Sequence, residues 1–327
     1  MLHLSRVLAG VIAGFAVASA TSAAPVFPAR PITVQVAYSP GGSTDRQLRL
    51  LAELVGQQLG QTIIVENRPG AGGTMAAGTL AVKGPADGYT LAQAPVSVFR
   101  LPHLQQTNWD PLRDFTYITG LSGYLLGVAV RSDSPFKTWQ DVADYARAHP
   151  GEVSFASVGI GSTQHLGMTE LQRQTGLQLN HIPYKGGAET ARALLGGEVT
   201  INADAISTLT GLGDKARILM IWEPERSPAL PNVPTARELG IDLVLQSPYG
   251  LIGPKGMPPD VVQKLHAAFS KALDDPRHLE LLTTINQTAW HRNPDEYAAY
   301  ARQAYQDERR LLENAGLEVR PMPEEKK

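Results

Sequence analysis

Three times along this chain a short apolar run ends in a glycine-rich turn that leads straight into a helical pattern. The first instance is the most constraining. Ile32-Thr33-Val34-Gln35-Val36-Ala37 runs into Tyr38-Ser39-Pro40-Gly41-Gly42-Ser43-Thr44-Asp45. Leu48, Leu51, Ala52, Val55 and Leu59 then recur at helical spacing as far as Gly60. A strand, a tight turn and a helix in that order leave the first helical N–H groups without intrahelical partners, which makes a ready anion site. Gly41 and Gly42 let the backbone approach a ligand with no Cβ in the way. Ser43 is placed to cap the helix, and Asp45 sits where the helix dipole favours a carboxylate. Most Pro-Gly-Gly turns are only turns, so the rest of the chain must decide.

Strand and helix signals alternate throughout. Thr62 to Glu66 reads as a buried strand, followed by a second glycine turn, Asn67-Arg68-Pro69-Gly70-Ala71-Gly72-Gly73-Thr74, and an alanine-rich helix over 75–82. A third strand begins at Tyr89 and ends near Ser97. Leu126 to Val130 is a strand, and Thr138-Trp139-Gln140-Asp141 starts a helix that Pro150-Gly151 ends. Val153 to Ser157 runs into the third glycine turn, Val158-Gly159-Ile160-Gly161-Ser162-Thr163, before a helix over 163–175 closed by Gly176. Leu179 to Pro183, a helix ending at Leu195, and Val199 to Asp204 follow. Near the C-terminus, Pro258 to Leu273 is amphipathic, and Asn293-Pro294-Asp295-Glu296 is a capping box opening a helix to Gly316, expected on an outside face. The alternation predicts an α/β protein with mixed, mostly parallel sheets and flanking helices. Ligands in such sheets bind at the carboxyl ends of strands, where two glycine loops facing each other would clamp a small anion.

Composition narrows the function. Residues 1–24, with Arg6 before the apolar run Val7 to Ala18 and small residues to Ala24, read as a secretory signal peptide. With Arg6 removed from the 29 basic residues, 28 remain against 31 acidic ones, a net charge of 28 − 31 = −3. No basic field is left for nucleic acid, and no later apolar run approaches a membrane span. There is no cysteine to form a disulfide or act as a nucleophile, and the eight histidines show no metal-ligand spacing. The sequence has no Gly-x-Ser-x-Gly elbow and no phosphate-binding Walker loop. The third glycine of a dinucleotide fingerprint is missing after Gly161. Ser162 and His165 lack an acid partner for a triad. The expectation is an exported binding protein, not an enzyme, with no cofactor and no metal.

Five stretches carry a resemblance. They are Pro40 to Asp45 with Arg49; Glu66 to Gly73 with Pro85-Ala86-Asp87-Gly88-Tyr89-Thr90-Leu91; and Ser157 to Ser162 with His165-Leu166. The others are Pro183-Tyr184-Lys185-Gly186-Gly187 with Leu195-Gly196-Gly197 and Asp204, and Pro231-Asn232-Val233-Pro234-Thr235 with Glu238-Leu239-Gly240, Gly250 and Pro254. In this order they resemble the Bug family, the periplasmic substrate-binding proteins of tripartite tricarboxylate transporters. The resemblance implies a two-lobed, type II periplasmic-binding-protein fold closing over a small organic acid. Lobe 1 would comprise 25–124 and 247–327, lobe 2 125–246, with the hinge near 124 and 246. It implies a monomer that works with two integral membrane subunits, or alternatively with a sensor kinase. It also implies a carboxylate held by backbone N–H groups and water around Tyr38, Ser39, Gly41, Gly42 and Ser43 from one lobe. Val158, Gly159, Ile160, Gly161 and Ser162 would come from the other, with Asp204 nearby.

Several residues carry two readings. Asp204 either caps the next turn or orients ligand or water. Ser97 is a candidate contact at a strand end, and Arg100 is the one nearby cation for a second carboxylate. His165 reads as a hydrogen-bonded structural histidine. Glu66, Asn67 and Arg68 read as pins for the second glycine loop, and Tyr184 and Lys185 could reach the cleft or the hinge. Three departures from the family pattern bear on the ligand. Asn202-Ala203 stands where Met-Phe is frequent, which predicts a larger, more polar cleft. Pro248 replaces a common tryptophan, and Tyr38 adds a hydroxyl where phenylalanine is frequent. Together they predict a ligand larger or richer in hydroxyls than a simple amino acid or C4 diacid.

Overall fold

The computed structural model describes residues 27–314 and 316–321; the expected leader lies outside the described residues. The elements in chain order are β1 (Ile32–Val36), α1 (Ser43–Leu59), β2 (Ile63–Asn67), α2 (Met75–Lys83), β3 (Thr90–Pro95), α3 (Ser97–Leu104) and β4 (Phe115–Tyr124). Next come β5 (Leu126–Arg131), α4 (Trp139–Ala148), β6 (Ser154–Ser157), α5 (Thr163–Thr175), β7 (Asn180–Pro183), α6 (Gly187–Gly196), β8 (Ile201–Ala205), α7 (Ile206–Thr210) and β9 (Ala216–Ile221). The last are β10 (Ser247–Pro254), α8 (Pro259–Leu273), α9 (Pro276–Thr284), β11 (Gln287–Arg292) and α10 (Pro294–Asn314).

Two sheets organise the molecule. One has six strands in the order β11-β4-β10-β3-β1-β2, and the other has five in the order β7-β6-β8-β5-β9. The chain leaves the first sheet after Tyr124, enters the second at Leu126, and returns with β10 at Ser247. The pairing is mixed, and the expectation of mostly parallel strands needs correcting. β1–β2, β1–β3, β6–β7 and β6–β8 are parallel; β3–β10, β4–β10, β4–β11, β5–β8 and β5–β9 are antiparallel. The parallel pairs come from the glycine-turn units, whose crossover helices demand them. The antiparallel pairs come from the segments that carry the chain out of one sheet and back into it.

Local signals account for several helix ends. Gly60 terminates α1 in the left-handed region at φ 66°. Thr138 and Asp141 form the capping box of α4, and Asn293 and Glu296 exchange the same pair of bonds at the start of α10. The strand after α1 is not buried as expected. β2 is the sheet's edge, and Ile64 is 47% exposed because nothing covers its outer face.

A continuous apolar cluster runs from Leu48 and Leu51 through Leu121 and Leu126 to Met168 and Leu219, spanning both sheets. The two lobes touch around the cleft. Ser39 Oγ donates to Glu189 Oε1 at 2.8 Å, Thr163 Oγ1 lies 3.2 Å from Ser247 Oγ, and Arg100 Nη1 donates to the Gly161 carbonyl at 3.1 Å. The C-terminal helix takes part as well. α10 does not lie only on an outside face: Leu312, fully buried, packs with Leu166 of α5.

Candidate functional site

Between the lobes lies a cavity with about 410 Å³ of space free of protein atoms, part of it continuous with solvent. The first lobe lines it with Tyr38, Gly42, Ser43, Thr44, Asp45, Tyr124 and Ser247. The second contributes Val158, Gln164, Gly187, Asp204, Ala205 and Thr208. No lysine, arginine or histidine is among them. The wall is built from hydroxyls, an amide, two carboxylates and the first turns of helices.

Two of the longer helices, one from each lobe, start at the cavity with no side-chain cap, as does the five-residue α7 behind Ala205. Gly42 precedes α1 and Gly186 precedes α6; neither has a side chain to satisfy the first-turn N–H groups. Ser43, expected as the cap, is already the first helical residue. Helices α4, α9 and α10, which begin elsewhere, take side-chain caps from Thr138, Asp275 and Asn293, although α2, α3 and α8 do not. Two uncapped N-termini meeting at one cavity offer positive partial charge and free donors to an anion without a formal cation.

Asp45 keeps the first loop in shape. Its Oδ2 accepts from the Gly41 N–H and Arg49 Nε, both at 3.0 Å. Its Oδ1 accepts from Asn67 Nδ2 and lies 2.9 Å from Arg49 Nη2. Burial alone would raise this carboxyl, but Arg49, Gly41 and Asn67 hold it below the usual carboxylate range. Asn67 Nδ2 also lies 2.9 Å from the Tyr38 carbonyl, so Asn67 pins the first glycine loop and not the second. Arg68 and Glu66 pair with each other at a half-exposed edge. The Tyr38 ring packs edge-on to Tyr124, and burial pushes its phenol well above the ordinary range. A Cβ on Gly73 would stand 2.8 Å from that hydroxyl, so the second glycine turn serves to admit Tyr38.

The second-lobe loop is arranged differently. Val158 reaches the cavity, but Gly159, Ile160, Gly161 and Ser162 are not among its lining residues. Gly159 abuts Gly72, where an added Cβ would lie 3.0 Å from Gly72 Cα. Gly161, at φ +76°, would carry a Cβ 2.3 Å from Leu101 Cδ1. The Ile160 side chain points outward at 63% exposure. Ser162 caps α5 through its bond from the His165 N–H. These glycines permit close approach of the lobes. His165 accepts the Gly161 N–H at Nδ1 and stacks on His181, and burial, followed by the Arg100 charge, lowers its pKa.

Asp204 is 2% exposed and faces the cavity. Oδ1 accepts from the Ala205 N–H at 2.6 Å and Oδ2 lies 2.5 Å from Thr190 Oγ1. Burial pushes its pKa up to about 6, against the opposing effect of these donors. Asn202 and Ala203, expected to enlarge the cleft, do not line it; Asn202 Nδ2 approaches Thr190 Oγ1 at 3.3 Å, behind Asp204.

The remaining candidates lie off the cavity. Ser39 bonds Glu189 across the cleft, and the Gly41 N–H is spent on Asp45. Ser97 begins α3, 2% exposed, with no partner for Oγ among the described residues. Arg100 is not a free cation for a second carboxylate, since its Nε pairs with Glu308 of α10 at 2.5 Å. The Tyr184 hydroxyl bonds Glu198, and the Lys185 N–H bonds Glu189. Sequence reading did not single out Tyr124, Gln164, Gly187, Ala205, Thr208 and Ser247 as site residues. Two of them had a signal that could have found them: Gln164, two residues beyond Ser162 in the first turn of its helix, and Gly187, in the Gly186-Gly187 turn that opens α6.

Residues 47–317 match the family model described as tripartite tricarboxylate transporter family receptor. The chain is 44% identical over 305 residues to the UPF0065 protein in the gbd 5′ region of Cupriavidus necator, covering 93% of each chain. Periplasmic binding protein BugD has a similar structure, with a TM-score of 0.84 at 30% identity over 89% of this chain and 99% of that one. MatC of Rhodopseudomonas palustris, with bound malate, gives a TM-score of 0.82 at 30% identity, covering 88% and 100%.

Proposed function

The chain belongs to the tripartite tricarboxylate transporter receptor family, and from that membership we propose that it captures a small organic acid between its lobes. It is a solute-binding protein of the periplasmic Bug type. The observation that carries the ligand class is the meeting of two uncapped helix N-termini, α1 and α6, at a cavity with no basic side chain. Such a wall accepts a carboxylate through N–H dipoles, and the bound malate of the MatC structure is an acid of that kind.

In this reading residues 1–24 direct export. Residues 25–124 with 247–327 form one lobe and 125–246 the other, flexing near 124 and 246. Ligand favours the closed form because the cavity draws on both lobes. The closed protein then docks, as a monomer, on two membrane subunits that take the acid across the membrane. Among the described residues no helix is long and apolar enough to span a bilayer, which fits a binding component that hands its ligand on.

Native mass spectrometry of the exported protein, followed by thermal shift against mono-, di- and tricarboxylates and their esters, tests the reading. A retained acid, or stabilisation by an acid and not by its ester, is expected. Stabilisation by the ester alone, or no shift from any acid, would remove the carboxylate from the proposal.

A further inference from the structure

The cavity holds two buried carboxylates of unequal standing. Asp45 is saturated: the Gly41 N–H, Asn67 Nδ2 and two nitrogens of Arg49 occupy both its oxygens. Asp204 has no cation beside it. Two protein contacts meet hydrogen-bond geometry at its oxygens, the Ala205 N–H and the Thr190 hydroxyl. An ionised carboxylate has about four acceptor positions, and the Gln164 and Thr208 side chains stand beside the other two as weaker donors that a ligand hydroxyl can displace. Gln164 and Thr208 flank it on the cavity wall, and Gly187 leaves the oxygen uncovered, since a Cβ there would stand 3.2 Å from Asp204 Oδ2.

Thr190 Oγ1 also lies 2.9 Å from the Gly187 carbonyl and receives Asn202 Nδ2, so this side of the carboxylate is held by a fixed polar chain. Only the cavity side is left to a ligand. A plain carboxylate drawn in by the helix N-termini would meet Asp204 as like charge against like, with no hydrogen between them. A ligand hydroxyl supplies that hydrogen. A buried acceptor left unpaired costs far more than a solvated one, so the discrimination is strong.

Resting on the carboxylate reading above, we propose that Asp204 is the specificity residue of this site and selects hydroxy acids over the matching acids without the hydroxyl. The hydroxyls of Ser43, Thr44, Thr208 and Ser247 around the same space suit a ligand that carries its own.

The test is isothermal titration of the full-length protein with matched pairs, malate against succinate and lactate against propionate, at one pH above 7. Wild type should favour the hydroxylated member of the bound pair by tenfold or more. Asp204→Leu, which removes the acceptor, should bring the ratio near one. Asp204→Asn, which keeps an acceptor oxygen, should retain most of it. A purely structural role would weaken both members of a pair equally and leave the ratio unchanged in Asp204→Leu, which would overturn the proposal, as would a wild-type ratio near one. Aspartate serves as a third arm. If it binds above malate and that preference vanishes in Asp204→Asn with malate unaffected, the residue reads an ammonium group and the hydroxyl assignment falls. If no acid of either pair binds wild type while the thermal-shift panel finds another carboxylate, the hydroxy-acid selectivity fails alone. If the panel finds none, the carboxylate reading fails with it.

Discussion

Residues 38–45 and 158–163 are both strand-to-helix turns with two glycines, yet they are held from opposite directions. The first is pinned from inside its own lobe: Asp45, Arg49 and Asn67 tie the turn to the start of α1 and the end of β2. The second leans on the other lobe, with Arg100 bonded to the Gly161 carbonyl, Leu101 against Gly161, and Gly72 against Gly159. The difference teaches that paired glycines answer two needs. In the first turn Gly42 leaves the start of α1 without a side-chain cap at the cavity, and in the second the glycines let two lobes come to backbone contact. One turn takes its support mainly from its own lobe, with the Ser39–Glu189 bond reaching across, and the other takes its support from across the cleft.

The largest effect should come from removing that support. Arg100→Met leaves Glu308 without its buried partner and should cost about 3–5 kcal/mol in denaturant unfolding. Adding Glu308→Leu should recover most of it, and a single mutant within error of wild type would break the comparison. Gly161→Val forces a branched side chain into a left-handed backbone and against Leu101. Its cost of about 2–4 kcal/mol should fall mainly on the closed state, weakening ligand binding roughly 30-fold or more without altering the cavity wall. Titration together with small-angle scattering of the ligand-free and ligand-saturated forms checks this, since unaltered affinity would mean the lobes close without that contact. Gly42→Ala is the smallest change. Gly42 has φ −72° and its Cβ would meet only the Ser39 carbonyl, at 3.7 Å, so unfolding stability should move by less than about 0.5 kcal/mol. Any loss should appear in ligand affinity, and a fall in melting temperature without one would assign Gly42 to packing.

How legible was this molecule? The elements with their own punctuation were. The helix over 163–175 and the α4 capping box stand where periodicity and caps put them. β4 and β10 were not read, although they form the middle of the larger sheet. β4 is buried on both faces, so it shows no alternation. β10, Ser-Pro-Tyr-Gly-Leu-Ile-Gly-Pro, has the composition of a loop, and only its two long-range partners make it a strand. The site divides in the same way. Tyr38, Gly42, Ser43 and Val158 lie in glycine turns, where local sequence reports on function, and Asp204 came from the family resemblance. Tyr124 and Ser247 reach the cavity because the chain crosses between sheets beside it, and no local pattern encodes such a crossing.

The position of β10 has a consequence for the order in which the molecule can be assembled. All strands of the five-stranded sheet lie between residues 126 and 221, so that sheet is complete in one stretch of chain. The six-stranded sheet has β10 inserted between β3 and β4 and β11 at its edge, so its full width waits until residue 292 is available. A chain emerging from its N-terminus therefore offers the half with the first glycine loop long before that half can finish folding. The middle of the sequence is the part that can mature first, and the segment from Ser247 onward closes the part that began.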